Sequence, residues 1–181
     1  MFLSPKKKTA VGLDIGSKTV KGLQLELKDN EIIFKSHEVL NLSDQGILND
    51  SEYCHSISEW LEENNWKHVG ICTALPQYLT TVNVRDFPVT ANSEHLMESM
   101  INYETQHLSG ISEETFINDY HVMPSAFGRV NPVLIGICKG SVIDEKVSTL
   151  QDIGLELKDL TIDSIAVTNA LFSVHSNVKK N

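Results

Sequence analysis

Arginine is nearly missing from this chain. Arg85 and Arg129 are its only two, and acidic residues outnumber basic ones by 24 to 15, for a net charge of −9. Proteins that grip nucleic acid concentrate Lys and Arg against the phosphates, so this balance argues against a nucleic-acid partner. Cysteine is sparse as well. Cys54, Cys72 and Cys138 are odd in number and lack zinc spacing. Cys72 and Cys138 lie in apolar, strand-like runs, so buried free thiols in a reducing compartment are expected. No apolar run approaches the ~20 residues that cross a bilayer. Lys6, Lys7 and Lys8 are not followed by an apolar stretch of signal-peptide length, and this start is expected to be a solvated arm. Internal repeats and low-complexity tracts are absent. What remains, 41% apolar residues and 22% charged in 181, suits one soluble domain or one domain carrying an insertion.

The most informative stretch is Val11-Gly12-Leu13-Asp14-Ile15-Gly16-Ser17-Lys18-Thr19-Val20-Lys21. An apolar strand ends in Asp-Ile-Gly-Ser, and a second alternating strand follows at once. A carboxylate, a glycine, two hydroxyls and lysines therefore gather at one hairpin tip. Glycine lets a backbone approach phosphate closely, turn N–H groups bind anions, lysine adds a point charge, and a carboxylate can hold Mg²⁺ through its waters. Gly12 with Gly16-Ser17-Lys18-Thr19 also looks like a damaged P-loop. That motif needs a helix directly behind it, whereas Val20 to Leu27 alternates with period two and runs into the turn signal Lys28-Asp29-Asn30. The plain alternative is a Gly-tipped hairpin with no ligand.

The pattern beyond it predicts a third strand over 31–39, a polar loop over 41–50 and a helix over 51–64. Tyr53, Ile57, Trp60 and Leu61 share that helix's apolar face, and Asn49 with Glu52 reads as a capping box. A strand over 68–75 ends at Pro76. Residues 78–139 read strand, helix, strand, strand. The helix, 93–108, carries Leu96, Met97, Met100, Ile101 and Leu108 on one stripe and stops at Gly110; the last two strands flank a hairpin over 124–128. A helix over 141–153 closes at Gly154, a strand spans 155–162, and Asp163 caps a final helix.

This order, with Asp14-Ile15-Gly16-Ser17 and Lys21, Thr73-Ala74-Leu75-Pro76, Asn102-Tyr103-Glu104, Gly154-Leu155 and Ile162-Asp163, resembles the first half of an actin-like ATPase, most closely the PilM family of type IV pilus assembly; FtsA and the cytoplasmic part of type II secretion L proteins share the architecture. The resemblance implies an α/β, actin-like (ribonuclease H-like) mixed-sheet core over 9–76 and 155–175, an inserted subdomain over 77–154, and flexible ends at 1–8 and 176–181. By the same resemblance Asp14 lies near Mg²⁺ and its waters, Gly16, Ser17, Lys18 and Thr19 meet the β- and γ-phosphates of ATP, and Lys21 contacts phosphate. The partner it implies is a short N-terminal peptide of a PilN-like inner-membrane protein, held in a groove near residues 76–83 and the insertion strands. The expected role is a cytoplasmic, membrane-associated scaffold, at most a weak ATPase and open to self-association. No second Asp-x-Gly follows Asp163, so ATP and Mg²⁺ are expected only with a second half. Rival readings are the first half of a sugar or acetate kinase, or an FtsA-like division filament protein.

Three other groupings read as structure. His95 with Glu98 and Glu104 with His107 sit on one helix, and two ligands on a single helix do not make a metal site. Asp119-Tyr120-His121 reads as sheet surface.

Overall fold

The computed structural model describes residues 8–29, 31–42, 49–87, 94–109, 114–124 and 128–178. Lys6 and Lys7 of the arm, most of the 41–50 loop, Pro88, Gly110, hairpin residues 125–127 and the end of the tail fall outside these, as do the side chains of Leu108 and Val174. The elements are β1 (Lys8–Ile15), β2 (Thr19–Lys28), β3 (Glu31–Asn41), α1 (Asp50–Glu63), β4 (Gly70–Leu75), β5 (Thr80–Asp86), α2 (Glu94–Ser109), β6 (Phe116–Val122), β7 (Pro132–Lys139), α3 (Gly140–Asp152), β8 (Leu157–Ile162) and α4 (Asp163–Val178). A five-stranded sheet has the order β3-β2-β1-β4-β8, and a three-stranded sheet the order β5-β7-β6. The larger sheet is mixed: β1 and β3 run antiparallel to β2, while β4 runs parallel to β1.

The chain divides into two compact units, Met1–Ala74 with Lys146–Thr161, and Leu75–Glu145 with Ile162–Asn181. In the first, Val11, Leu13 and Val20 face Ile57, Trp60 and Leu61 of α1, Trp66, Ile71 of β4, and Leu150 and Ile153 of α3. Both helices are held by their ends. Asn49 accepts the Glu52 N–H at 3.0 Å while the Glu52 carboxylate accepts the Asn49 N–H at 3.0 Å, the expected capping box. At the other end of α1, Asn65 takes the left-handed conformation (φ 58°). Its N–H donates to the Glu62 carbonyl and that of Trp66 to the Leu61 carbonyl, a Schellman closure that drives Trp66 into the core. The end of α3 repeats it. Gly154 (φ 82°) donates to Gln151 and Leu155 to Leu150, so Leu155 turns inward and β8 starts at Leu157, two residues later than the sequence pattern suggests.

The second unit builds its core from Phe87, Met97, Ile101, Val133, Ile135 and Ile137. Met97, Ile101 and Thr105 form the buried line of α2, four residues apart, while Leu96, expected on that stripe, is 50% exposed. The Asn118 side-chain amide ties β6 to α2 through Asn102 (3.2 Å) and Thr105 (3.0 Å). Residues 77–79 form a 3₁₀ turn, so Tyr78 and Leu79, which the alternation placed in a strand, lie outside β5. There the Gln77 N–H donates to Asp163 Oδ2 at 3.1 Å, so the residue expected to cap α4 also anchors this turn.

The cut expected at residue 154 differs from the division observed. Leu150 and Ile153 are 1% and 2% exposed within the first unit's core, so the second half of α3 cannot be parted from that core without stripping it. Residues 162–175, expected with the core, fall in the second unit.

Candidate functional site

β1 and β2 meet in a tight reversal that leaves no room for a helix behind Lys18: Thr19 already belongs to β2, and Ile15 pairs with Val20. The P-loop alternative is thereby excluded. The Gly16 N–H closes the turn on the Thr19 carbonyl at 3.0 Å. A β-carbon on Gly16 would stand 3.1 Å from that same oxygen, so the turn this tight favours glycine. Ser17 and Lys18 occupy the exposed tip, and among the described residues no protein carbonyl accepts their N–H groups. Such paired, unengaged amides are anion-binding groups.

Asp14 and Lys21 stand directly opposite each other in the β1–β2 ladder, and Lys21 Nζ lies 3.2 Å from Asp14 Oδ2. Both side chains are mostly exposed, 74% and 60%, so this pair contributes well under ~1 kcal/mol and can open at little cost. Of the six residues expected to form the corner, Asp14 and Lys21 are therefore in contact. Gly16 shapes the turn, Ser17 and Lys18 form its tip, and Thr19 starts the return strand, half-buried.

Three distant groups fasten this turn, and none follows from local spacing. The Tyr53 hydroxyl of α1 donates to the Gly16 carbonyl at 3.2 Å. The Leu42 N–H donates to the Lys18 carbonyl at 2.8 Å, and Leu42 itself is buried although it lies in the stretch expected to be polar loop. The Thr73 hydroxyl, buried in β4, donates to the Leu13 carbonyl at 2.8 Å. Burial, followed by the neighbouring Cys54, pushes the Tyr53 phenol up, so at neutral pH it is a proton donor.

Lys146 of α3 is a further group the sequence pattern hides. It is half-buried, and burial holds its amine below the usual lysine range, while the charge of Asp14 works in the opposite sense. The other groupings set aside above belong to the second unit, where His95, Glu98 and His107 are exposed on α2, and Asp119 and His121 on β6. Among the described residues no group of His, Cys, Asp and Glu side chains is arranged to hold a metal ion, and no helix is long and apolar enough to cross a membrane.

No protein-family model matches the chain, and no curated protein matches it in sequence. Solved structures do. The chain is similar to the PilM–PilN type IV pilus biogenesis complex, with 18% identity and a TM-score of 0.65, over 87% of this chain and 48% of that one. It is also similar to the cytoplasmic domain of EpsL, an inner-membrane component of the type II secretion system of Vibrio cholerae. There the identity is 11% and the TM-score 0.53, over 86% of this chain and 58% of that one. The fold is thus the actin-like α/β fold of these pilus and secretion proteins, with a mixed-sheet core and a strand-helix-strand-strand subdomain. The chain spans about half the length of the proteins it matches.

Proposed function

We propose that this chain belongs to a cytoplasmic actin-like scaffold protein of type IV pilus or related secretion assembly. In this reading it binds a Mg²⁺-nucleotide at the Asp14–Lys21 corner and a short N-terminal peptide of a PilN-like inner-membrane partner. The observation that carries the reading is the PilM-type fold across 87% of the chain. The corner's chemistry supports the nucleotide part. An incoming phosphate would take the Ser17 and Lys18 N–H groups and draw Lys21 away from Asp14. The carboxylate so released could then hold a water of the metal. That exchange is cheap because the pair it breaks is solvent-screened.

In this reading the role is one of binding, with at most weak ATP hydrolysis, the turn amides and lysines of the corner being groups suited to holding phosphate. Membrane association would run through the partner. Calorimetric titration with a synthetic peptide from the cytoplasmic N-terminus of a PilN-type protein tests the reading. Saturable heat is expected; none, with the circular dichroism spectrum intact, counts against it. In parallel, ATP with Mg²⁺ should move the Ser17 and Lys18 amide resonances, and Asp14→Asn should abolish the Mg²⁺ dependence of that shift.

A further inference from the structure

Resting on the reading of this corner as a phosphate site, we propose that Lys146 is a third cationic arm of it, reaching in from α3 to bind the terminal phosphoryl group of a bound polyphosphate. Lys146, Leu150 and Ile153 are spaced i, i+4, i+7 and so share one face of the helix. Leu150 and Ile153 are buried in the first unit's core. Lys146 is therefore a charged residue placed on the inward stripe of α3, a position where a solvated surface lysine does not belong, and it is half-buried there.

Its counter-charge is not in contact with it and is shared with a second lysine. Among the described residues no carboxylate lies within ion-pairing distance of its amine. The charged group that acts on it is Asp14, and the Asp14 carboxylate is already engaged by Lys21 at 3.2 Å. Lys21 and Lys146 thus share one carboxylate, in a chain whose net charge is −9. A half-buried ammonium whose nearby carboxylate is already engaged by another lysine is poorly compensated. An arriving phosphate oxygen would supply the missing charge, and a partly buried charge-assisted bond is stronger than one at the exposed tip.

The test is a titration of the isotope-labelled chain with inorganic triphosphate, following the lysine Cε–Hε and Nζ signals and the backbone amides. The Lys146 side-chain signals should shift together with those of Lys21 and with the Ser17 and Lys18 amides. Lys146→Met should weaken triphosphate binding by roughly tenfold, the loss of one charge-assisted hydrogen bond, and Lys146→Arg should restore most of it. Should the tip amides and Lys21 respond while Lys146 stays still, the assignment is overturned and the phosphate corner stands without it. If none of these signals moves, both fail. Because the wild-type side-chain signals are read directly, a variant that misfolds does not decide the matter.

Discussion

Replacing Gly22 with alanine sets two effects of opposite sign against each other, and the structure says which prevails. In a strand interior alanine is favoured over glycine by about 0.5–1 kcal/mol, because glycine loses more backbone freedom on folding. A β-carbon at Gly22, however, would lie 2.2 Å from Trp66 Cζ3, 2.9 Å from Trp66 Cη2 and 3.0 Å from Trp60 Cη2. Carbon atoms pack best at about 3.5–4.0 Å, so the new methyl overlaps a ring by more than an ångström. Neither ring can step aside. Trp66 is 1% exposed and Trp60 8%, and the two are locked edge to face at 5.4 Å and 88°. Overpacking of this kind costs about 1–3 kcal/mol. With rigid neighbours the upper part of that range applies, leaving a net loss of about 2 kcal/mol for Gly22→Ala. The assay is urea unfolding followed by far-ultraviolet circular dichroism, run as a double-mutant cycle with Trp66→Phe, which deletes the ring atoms that collide. In the Phe background the alanine should be close to neutral, a coupling of about 2 kcal/mol. A loss below about 0.5 kcal/mol in the parent, or an equal loss in both backgrounds, would refute the reasoning.

Tyr53→Phe deletes the bond to the Gly16 carbonyl and should cost about 1 kcal/mol, with faster amide exchange at Ser17 and Lys18 as the local signature. The same substitution should flatten an alkaline limb of the stability curve. Because burial raises the Tyr53 phenol in the folded chain, the unfolded chain ionises first, so its contribution to stability is intact below the ordinary value near 10 and falls as pH rises beyond it. Gly154→Ala forces a side chain onto a φ of 82° and should lower stability by about 1–2 kcal/mol, seen as an earlier urea midpoint. Burial raises the thiols of Cys54, Cys72 and Cys138, so iodoacetamide should modify the native chain slowly at mildly alkaline pH and the urea-unfolded chain quickly. A cysteine that reacts equally fast in both states would contradict its burial.

Features encoded within a few residues of one another were legible in the sequence. The hairpin at 15–20, the Asn49–Glu52 box, the Gly154 closure and the order β5-α2-β6-β7 each follow from short-range spacing and the residue types that turns and caps demand. Features made by distant residues were not. Alternation groups Val20, Gly22, Leu23 and Leu25 as one run, yet Val20 and Gly22 face the core while Leu23 and Leu27, on the opposite face, stay 41% exposed. What fixes Gly22 is Trp66, which enters through a turn at Asn65; an asparagine past a helix end favours such a turn, but nothing local says which residue the turn delivers against Gly22. Tyr53 passes as one more apolar residue of α1 until its hydroxyl meets Gly16. Lys146 passes as surface charge until α3 is set against the sheet, and Leu96 passes as core until α2 is rotated onto β7.

The edge-to-face pair described above has a practical consequence. Trp60 and Trp66 are the only tryptophans in the chain, and both belong to the unit that carries Asp14–Lys21. Indole emission therefore reports on that unit alone, and the other is optically silent on this channel. Emission and a whole-chain probe, recorded on one sample, would reveal whether the two units melt together or in turn, with no label attached.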